Sequence, residues 1–128
     1  MVPRAKIMVV EDDFDEAKLI KMILEGEGYE AVCAFNGKDA LEKLESEEPD
    51  LIVLDIMMPE MDGFAFCEKL RSSPGNENTP VVLLTAVAQH IQESKYPLNG
   101  VMRAEVQEYL EKPIEPETLL AAISGLLE

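Results

Sequence analysis

The chain has 128 residues, 47% of them hydrophobic, and a formal net charge of −15 at pH 7. This length and apolar content match one ordinary domain, so we expect a single domain over residues 1–128 with a structured core at 5–128. Nucleic acids and anionic membranes are bound through clustered Lys and Arg, so the acidic charge argues against both as direct partners.

The two cysteines and the single histidine bear on metal binding and on the cellular compartment. Cys33 and Cys67 lie in apolar stretches without a C-x-x-C spacing, so together with His90 they offer no soft-metal cluster. We interpret the cysteines as buried thiols in a reducing cytosol and His90 as a surface or packing residue. No secretory signal is visible, and no apolar run approaches the roughly 20 residues that span a bilayer, so we expect a cytoplasmic protein without membrane insertion.

The first half of the chain predicts strands and helices in alternation. Short β-branched and apolar runs predict strands, whereas apolar residues that recur every three or four positions predict helices. Glycine, proline and Asn-Gly pairs mark where elements end. In chain order the predicted elements are strand Ile7–Val10, a helix from Phe14 to Gly26, strand Tyr29–Phe35, an Asn36-Gly37 turn, a helix that ends before Pro49, and strand Leu51–Leu54.

The second half continues the alternation but contains one irregular stretch. The elements predicted there are a helix over Phe64–Leu70, strand Val81–Leu84, a fourth helix or helix plus loop within residues 86–106, strand Val106–Leu110, and a last amphipathic helix from Glu115 onward. Pro97 and Asn99-Gly100 interrupt the irregular stretch. We therefore expect residues 88–104 to be more mobile or irregular than the other connections.

Strands that alternate with helices indicate βαβ units and a parallel sheet covered on both faces. The first, third and fourth strands are continuously apolar, as central strands are, whereas the second and fifth carry polar residues that suit the edges. The predicted fold is therefore a doubly wound, flavodoxin-like α/β sheet of five strands in the order 2-1-3-4-5.

Polar side chains stand at the carboxyl ends of the predicted strands, outside which open parallel sheets bind ligands. Neighbouring carboxylates repel unless a cation lies among them, and an all-oxygen ligand set favours a hard ion such as Mg²⁺. A carboxylate, a hydroxyl and an ammonium around Mg²⁺ form a site for phosphoryl transfer. The residues concerned are Glu11, Asp12 and Asp13 after the first strand, Asp55 after the third, Thr85 after the fourth and Lys112 after the fifth.

Five segments together resemble the receiver domain of two-component response regulators: KIMVVEDD, NGKDALEKL, PDLIVLDIMMPEMDGF, TPVVLLTA and YLEKP. The resemblance covers nearly the whole chain. It implies a signalling domain, not an enzyme, that takes a phosphoryl group from a phosphohistidine of a sensor kinase or phosphotransfer protein and assists its own phosphorylation and dephosphorylation. It also implies switched protein contacts at the fourth helix, fifth strand and last helix. The output would be a downstream protein or an effector domain that we do not expect within this chain.

The resemblance also implies roles for individual residues. Asp55 would be the phosphoacceptor, and Thr85 and Lys112 would contact the phosphoryl group. Mg²⁺, or alternatively Mn²⁺, would be bound by Asp12, Asp55 and the Met57 carbonyl, and by Glu11 through a water. Thr85 and Tyr109 would be the switch residues. A cis bond between Lys112 and Pro113 is common at this position of the family.

Some interpretations remain open. Asp13 lies one residue beyond the usual acidic pair and is suited to be the N-cap of the first helix. A pseudo-receiver would bind partners without being phosphorylated. An aspartyl-phosphate hydrolase would need a second aspartate where this chain has Met57, and a flavin-binding protein is disfavoured by the acidic first loop.

One stretch of the chain departs from the family pattern. Most receivers have G-A-x-x-Y before the fifth strand, whereas this chain has VMRAEVQEY, which predicts a remodelled surface there.

Overall fold

The fold is a five-stranded parallel sheet with helices on both faces. It is given by a computed structural model that describes residues 4–55, 63–85 and 108–127. The strands are β1 (Lys6–Val10), β2 (Glu30–Ala34), β3 (Leu51–Asp55), β4 (Val81–Thr85) and β5 (Glu108–Glu111). The helices among these residues are α1 (Phe14–Gly26), α2 (Gly37–Glu47), α3 (Gly63–Ser72) and α4 (Pro116–Leu127).

The strand order is β2-β1-β3-β4-β5, with every neighbouring pair parallel, which confirms the predicted topology. All five residues of β3 are buried, whereas the edge strand β2 begins with the exposed Glu30. A strand that is covered on both faces has no solvated side on which to carry polar residues.

Alternate residues of the central strands pack against different helices. Met8 and Val10 belong to a core cluster that includes residues of α2 and α3, whereas Ile7 and Val9 belong to a cluster that includes residues of α1 and α4. Successive strand side chains point to opposite faces, so a fully apolar strand supplies both clusters at once. This double packing holds the carboxyl ends of β1, β3 and β4 side by side.

The second strand is shorter than predicted because its two flanking residues bond to the neighbouring helices. The backbone N–H of Tyr29 donates to the Leu24 carbonyl over 3.1 Å, which keeps Tyr29 at the end of α1. The N–H of Phe35 donates to the Asp39 carboxylate over 3.1 Å. Both amides therefore bond to residues of the flanking helices, and β2 is limited to Glu30–Ala34.

Asn36 and Gly37, predicted as a turn, begin the second helix. Asn36 is the N-cap of α2, and its side-chain oxygen accepts a hydrogen bond of 2.7 Å from the Asp39 N–H. Asn-Gly is a hairpin signal only between strands that pair with each other, and here the next element is a helix.

One cysteine differs from the prediction. Cys67 is buried in the core on the α2 and α3 side, but Cys33 is only half-buried. Cys33 lies on an edge strand, where its thiol donates to the carbonyl of Ala17 over 3.9 Å and lines a surface groove together with Phe14 and Phe35. The edge position therefore exposes part of a side chain that hydropathy alone assigned to the interior.

Several predictions fall outside the described residues. They are the helix and the mobility predicted within residues 86–106, His90, the Met57 carbonyl, and the start of the fifth strand at Val106. Within residues 4–55, 63–85 and 108–127, no helix combines the length and hydrophobicity that crossing a bilayer requires.

Candidate functional site

Two buried acids lie side by side at the carboxyl ends of the neighbouring strands β1 and β3. Glu11 directly follows β1, and Asp55 ends β3. The Glu11 N–H donates to the Ala34 carbonyl over 3.0 Å, which continues the pairing of β1 with β2 and fixes the backbone of Glu11. The residues are only 1% and 5% exposed, respectively. Buried acids are rare in proteins and need a compensating partner.

Asp12 joins these two acids in a cluster that could hold a metal ion. One carboxylate oxygen from each of Glu11, Asp12 and Asp55 lies within 4.8 Å of the other two. The donors are all oxygens, which are the ligands that Mg²⁺ and Mn²⁺ accept most readily. The residues present therefore fit a hard divalent cation.

The ammonium of Lys112 provides positive charge beside the acids. Its Nζ lies 3.2 Å from an oxygen of Glu11, 3.6 Å from an oxygen of Asp55 and 3.2 Å from an oxygen of Glu16. Burial lowers the pKa of Lys112, but the negative charge of its carboxylate partners outweighs burial, so the pKa lies above its ordinary value. Lys112 is therefore a permanent cation here. The Lys112–Pro113 bond is cis, as the resemblance implied.

The pKa of Glu11 is raised from 4.5 to about 8. Burial is the largest cause, and the charge of Asp55 adds to it, whereas the N–H of Asp13 and the charge of Lys112 act in the opposite direction. Two like charges in a buried site disfavour double ionisation, so Glu11 takes up a proton near neutral pH unless a cation lies in the cluster.

The raised pKa of Glu11 predicts how stability depends on pH without divalent cations. A carboxyl with a pKa of about 8 in the folded chain, against 4.5 ordinarily, binds its proton more tightly when folded and so stabilises the fold while protonated. This contribution is fully present below pH 4.5 and is lost as the pH rises through about 8. We expect the free energy of unfolding to fall by roughly 1 kcal/mol per pH unit between pH 6 and 8, measured by urea unfolding with a chelator present.

The Glu11→Gln variant is the control for this pH dependence. Glutamine has the same shape but no titrating proton, so the slope between pH 6 and 8 should largely disappear. Saturating Mg²⁺ should also flatten the slope in the parent chain, because a bound cation favours the ionised carboxylate. Equal slopes in the parent and variant chains would show that another group titrates.

Asp13 serves as the N-cap of α1, which settles one open interpretation. Its carboxylate accepts a hydrogen bond of 3.2 Å from the Glu16 N–H. Its own N–H donates to a Glu11 oxygen over 3.1 Å. Among the described residues, the acidic cluster is made of Glu11, Asp12 and Asp55 without Asp13. Asp13 therefore organises the loop between β1 and α1.

Thr85 and Tyr109 are located only by their backbones. Thr85 ends β4 and pairs in register with Glu111, and Tyr109 pairs with Leu83. Thr85 and Asp55 thus both lie at the carboxyl ends of neighbouring strands. The side chains of Thr85 and Tyr109 lie outside what the structure describes, so their phosphoryl-binding and switching roles stay predictions.

Glu16 is the site residue that sequence reasoning missed. It occupies the third position of α1, three residues after the N-cap Asp13. An acid at this spacing predicts a capping box, in which the side chain bonds back to the N-cap N–H. Here that N–H donates to Glu11 instead, and the Glu16 carboxylate contacts Lys112. Only the packing of α1 against the segment after β5 reveals the pair.

A groove of about 660 Å³ adjoins the Lys112 ammonium. Leu19 and Ile23 of α1 line one side, and Lys112 and Pro113 line the other. Leu19 is more than half exposed. Lys112 and Glu16 therefore lie along an open, partly apolar surface rather than inside a closed cavity.

Curated relatives match this chain along most of its length. An uncharacterized 14.6 kDa protein in the sodA1 3′ region of Leptolyngbya boryana is 39% identical over 91% of this chain and 86% of its own length. The alkaline phosphatase synthesis transcriptional regulatory protein PhoP of Bacillus subtilis is 35% identical over 95% of this chain. The matched region is only 48% of PhoP, so the chain spans about half of that relative.

Solved structures share the fold. The signal receiver domain of a signal transduction histidine kinase from Syntrophus aciditrophicus superposes with a TM-score of 0.85 and 32% identity, covering 96% of this chain and 89% of the other. The chemotaxis protein CheY4 of Vibrio cholerae gives 0.85 and 30%, covering 94% and 97%. The sequence model of the response regulator receiver domain matches residues 7–124. With its sheet order and its buried acids at the strand ends, the chain belongs to the response regulator receiver domain family.

Proposed function

We propose that Asp55 accepts a phosphoryl group from a phosphohistidine of a sensor kinase or phosphotransfer protein. The observation that carries the proposal is the position of the Lys112 ammonium, 3.6 Å from Asp55 and 3.2 Å from Glu11. A carboxylate beside a permanent cation and two further acids combines a nucleophile with charge to bind phosphoryl oxygens. Relatives that are named response regulators support the same role.

The transfer exchanges one bond to phosphorus for another. An oxygen of Asp55 attacks the phosphorus as the P–N bond to the donor imidazole breaks, and the electron pair of that bond stays on the imidazole nitrogen. The product is an acyl phosphate on Asp55. Water later attacks the phosphorus and the P–O bond to Asp55 breaks with its electron pair on the Asp55 oxygen. The Asp55 carboxylate is regenerated, and inorganic phosphate is released with the oxygen and protons of the water. In both steps Lys112 neutralises charge on the phosphoryl oxygens.

Glu11, Asp12 and Asp55 are the residues that would hold Mg²⁺ or Mn²⁺, with Glu11 acting through a water and the Met57 carbonyl as an added ligand. When bound, the ion supplies further positive charge to the phosphoryl oxygens. The mutual closeness of the three acids and their all-oxygen chemistry support this assignment.

Substitution of Asp12 separates metal binding from folding, because Asp12 is the exposed member of the cluster. Asp12→Ala should lower the affinity for Mg²⁺ by at least about tenfold, measured by isothermal titration calorimetry. Its free energy of unfolding without Mg²⁺ should stay within about 0.5 kcal/mol of the parent value or rise slightly, since one repelling charge is gone.

Asp15→Ala is the matched control for Asp12→Ala. Asp15 is an exposed acid on the first turn of α1, outside the described acidic cluster. Asp15→Ala removes one negative charge, as Asp12→Ala does, and should leave the affinity for Mg²⁺ nearly unchanged. If both variants bound Mg²⁺ like the parent chain, the ligand role of Asp12 would be wrong.

The partner proteins follow from the site and its surroundings. A phosphohistidine that reaches Asp55 brings its protein over the groove beside Lys112, where Leu19 and Pro113 offer apolar contact. Phosphorylation adds charge at the strand ends and, through Thr85 and Tyr109, alters the surface before β5 and along α4. The output is a contact with a downstream protein or an effector domain, without direct nucleic-acid or membrane contact, in the cytoplasm. The chain acts as one receiver domain.

Labelling tests the function directly. The chain is incubated with acetyl phosphate and Mg²⁺, or with a chelator, and the modified residue is located by mass spectrometry. We expect Mg²⁺-dependent labelling at Asp55, and a panel of phosphorylated histidine kinases should then identify the fastest donor. A chain that binds Mg²⁺ but is never labelled would be a pseudo-receiver. Turnover of added phosphomonoesters would instead indicate a hydrolase.

A further inference from the structure

The Lys112 ammonium has a carboxylate partner outside the acidic cluster. Its Nζ donates to Glu16 over 3.2 Å, the same distance as to Glu11 and shorter than the 3.6 Å to Asp55. Glu11 and Asp55 come from strand ends, whereas Glu16 comes from α1. Lys112 is therefore shared between the strand ends and a helix.

The helix holds Glu16 in this position through its N-terminal hydrogen bonds. The Asp13 carboxylate accepts from the Glu16 N–H, which sets the first turn of α1. The Asp13 N–H is bonded to Glu11, so Glu16 does not close a capping box. The Glu16 side chain is free of that capping role and extends across the groove to Lys112.

A phosphoryl group on Asp55 adds a further negatively charged partner for the Lys112 ammonium. The ammonium donates hydrogen bonds to Glu11 and Glu16, both over 3.2 Å, whereas its contact with Asp55 at 3.6 Å is an ion pair without a hydrogen bond. The negative charge that the phosphoryl group adds lies on the strand-end side of Nζ, and an ammonium that moves toward it lengthens its contact on the α1 side. Glu11 is almost fully buried, whereas the Glu16 side chain is 26% exposed. Water can hydrate Glu16 once it is released, so Glu16 is the partner whose loss is least unfavourable.

We infer that Glu16 is a positioning residue that competes with the phosphoryl group for Lys112 and so weakens phosphoryl binding at Asp55. This inference rests on the proposed function, since it concerns the same site. Glu16 holds the ammonium toward α1 in the unmodified chain, and phosphorylation proceeds with transfer of Lys112 from Glu16 to a phosphoryl oxygen. Glu16 thereby lowers the affinity of the site at Asp55 for a phosphoryl group.

The experiment compares Glu16→Gln with Asp15→Asn. Both variants remove one negative charge from the first turn of α1, but only Glu16 has a described contact with Lys112. Affinity for beryllofluoride, a noncovalent analogue of a phosphoryl group, is titrated with Mg²⁺ present, and the rate of labelling by acetyl phosphate is measured separately. Relative to Asp15→Asn, we expect Glu16→Gln to bind beryllofluoride about two- to fivefold more tightly, the effect of one partly exposed ion pair.

A structural role for Glu16 predicts a different pattern. It would lower the unfolding midpoint of Glu16→Gln and leave beryllofluoride affinity equal to that of Asp15→Asn, which would overturn the inference. Weaker binding in Glu16→Gln would overturn it as well. A parent chain that binds Mg²⁺ but neither binds beryllofluoride nor becomes labelled would instead refute the proposed function, so the two failures are distinguishable.

Discussion

Replacement of Asp55 by asparagine is expected to abolish labelling by acetyl phosphate and Mg²⁺. The amide has nearly the same shape as the carboxylate but lacks the anionic oxygen that attacks phosphorus. Glu11 and Asp12 lie close to Asp55 and are the other acids of the cluster, but we propose only metal binding for these two. We therefore expect label in the variant to fall to the level of a parent chain treated with a chelator, measured by intact mass.

The same variant should fold normally. Asp55 and Glu11 are buried together, and the charge of Asp55 is one cause of the raised pKa of Glu11. Removing that charge should increase the free energy of unfolding at pH 8 by on the order of 1 kcal/mol. A stable variant without label would assign the acceptor to Asp55. Label that persists in a folded Asp55→Asn chain would move the acceptor to another residue.

Replacement of Lys112 by methionine is expected to slow labelling by about 10²- to 10³-fold, the usual effect of removing one group that stabilises developing negative charge. Methionine keeps much of the side-chain volume but has no charge. Without a divalent cation Glu11 is already largely protonated at neutral pH, so removing the ammonium leaves little unpaired negative charge there and should cost about 1–3 kcal/mol of stability. Initial rates at several acetyl phosphate concentrations, together with urea unfolding, measure the two effects separately.

Lys6→Met is the matched control for Lys112→Met. The Lys6 ammonium also contacts two carboxylates, those of Glu30 at 3.5 Å and Glu47 at 3.2 Å. Lys6 begins β1, so it lies at the opposite end of the sheet from Asp55. Its loss changes the net charge equally and should leave the labelling rate within about twofold of the parent value. If Lys112→Met were labelled as fast as Lys6→Met, the phosphoryl-binding role of Lys112 would be wrong.

The sheet topology was predictable because strands that are buried on both faces consist almost entirely of apolar residues. The runs at 7–10, 51–54 and 81–84 have no polar side, and the structure has them as the three central strands. The bounds of β2 were less predictable, because Tyr29 and Phe35 are apolar but use their amides to bond to helix ends. Hydropathy reports where a side chain prefers to be, and it does not report which acceptor an amide finds.

The sequence by itself determined which residues stand at the carboxyl ends of the strands, since alternating elements and acidic strand ends are local patterns. Tertiary structure decided how those residues meet. It brought Lys112 between Glu11 and Asp55, turned Asp13 into a cap, and added Glu16 as a third partner of the lysine. Residues 16 and 112 are 96 positions apart, and no local pattern links them. Their contact depends on α1 packing beside the segment after β5, which is a property of the whole fold.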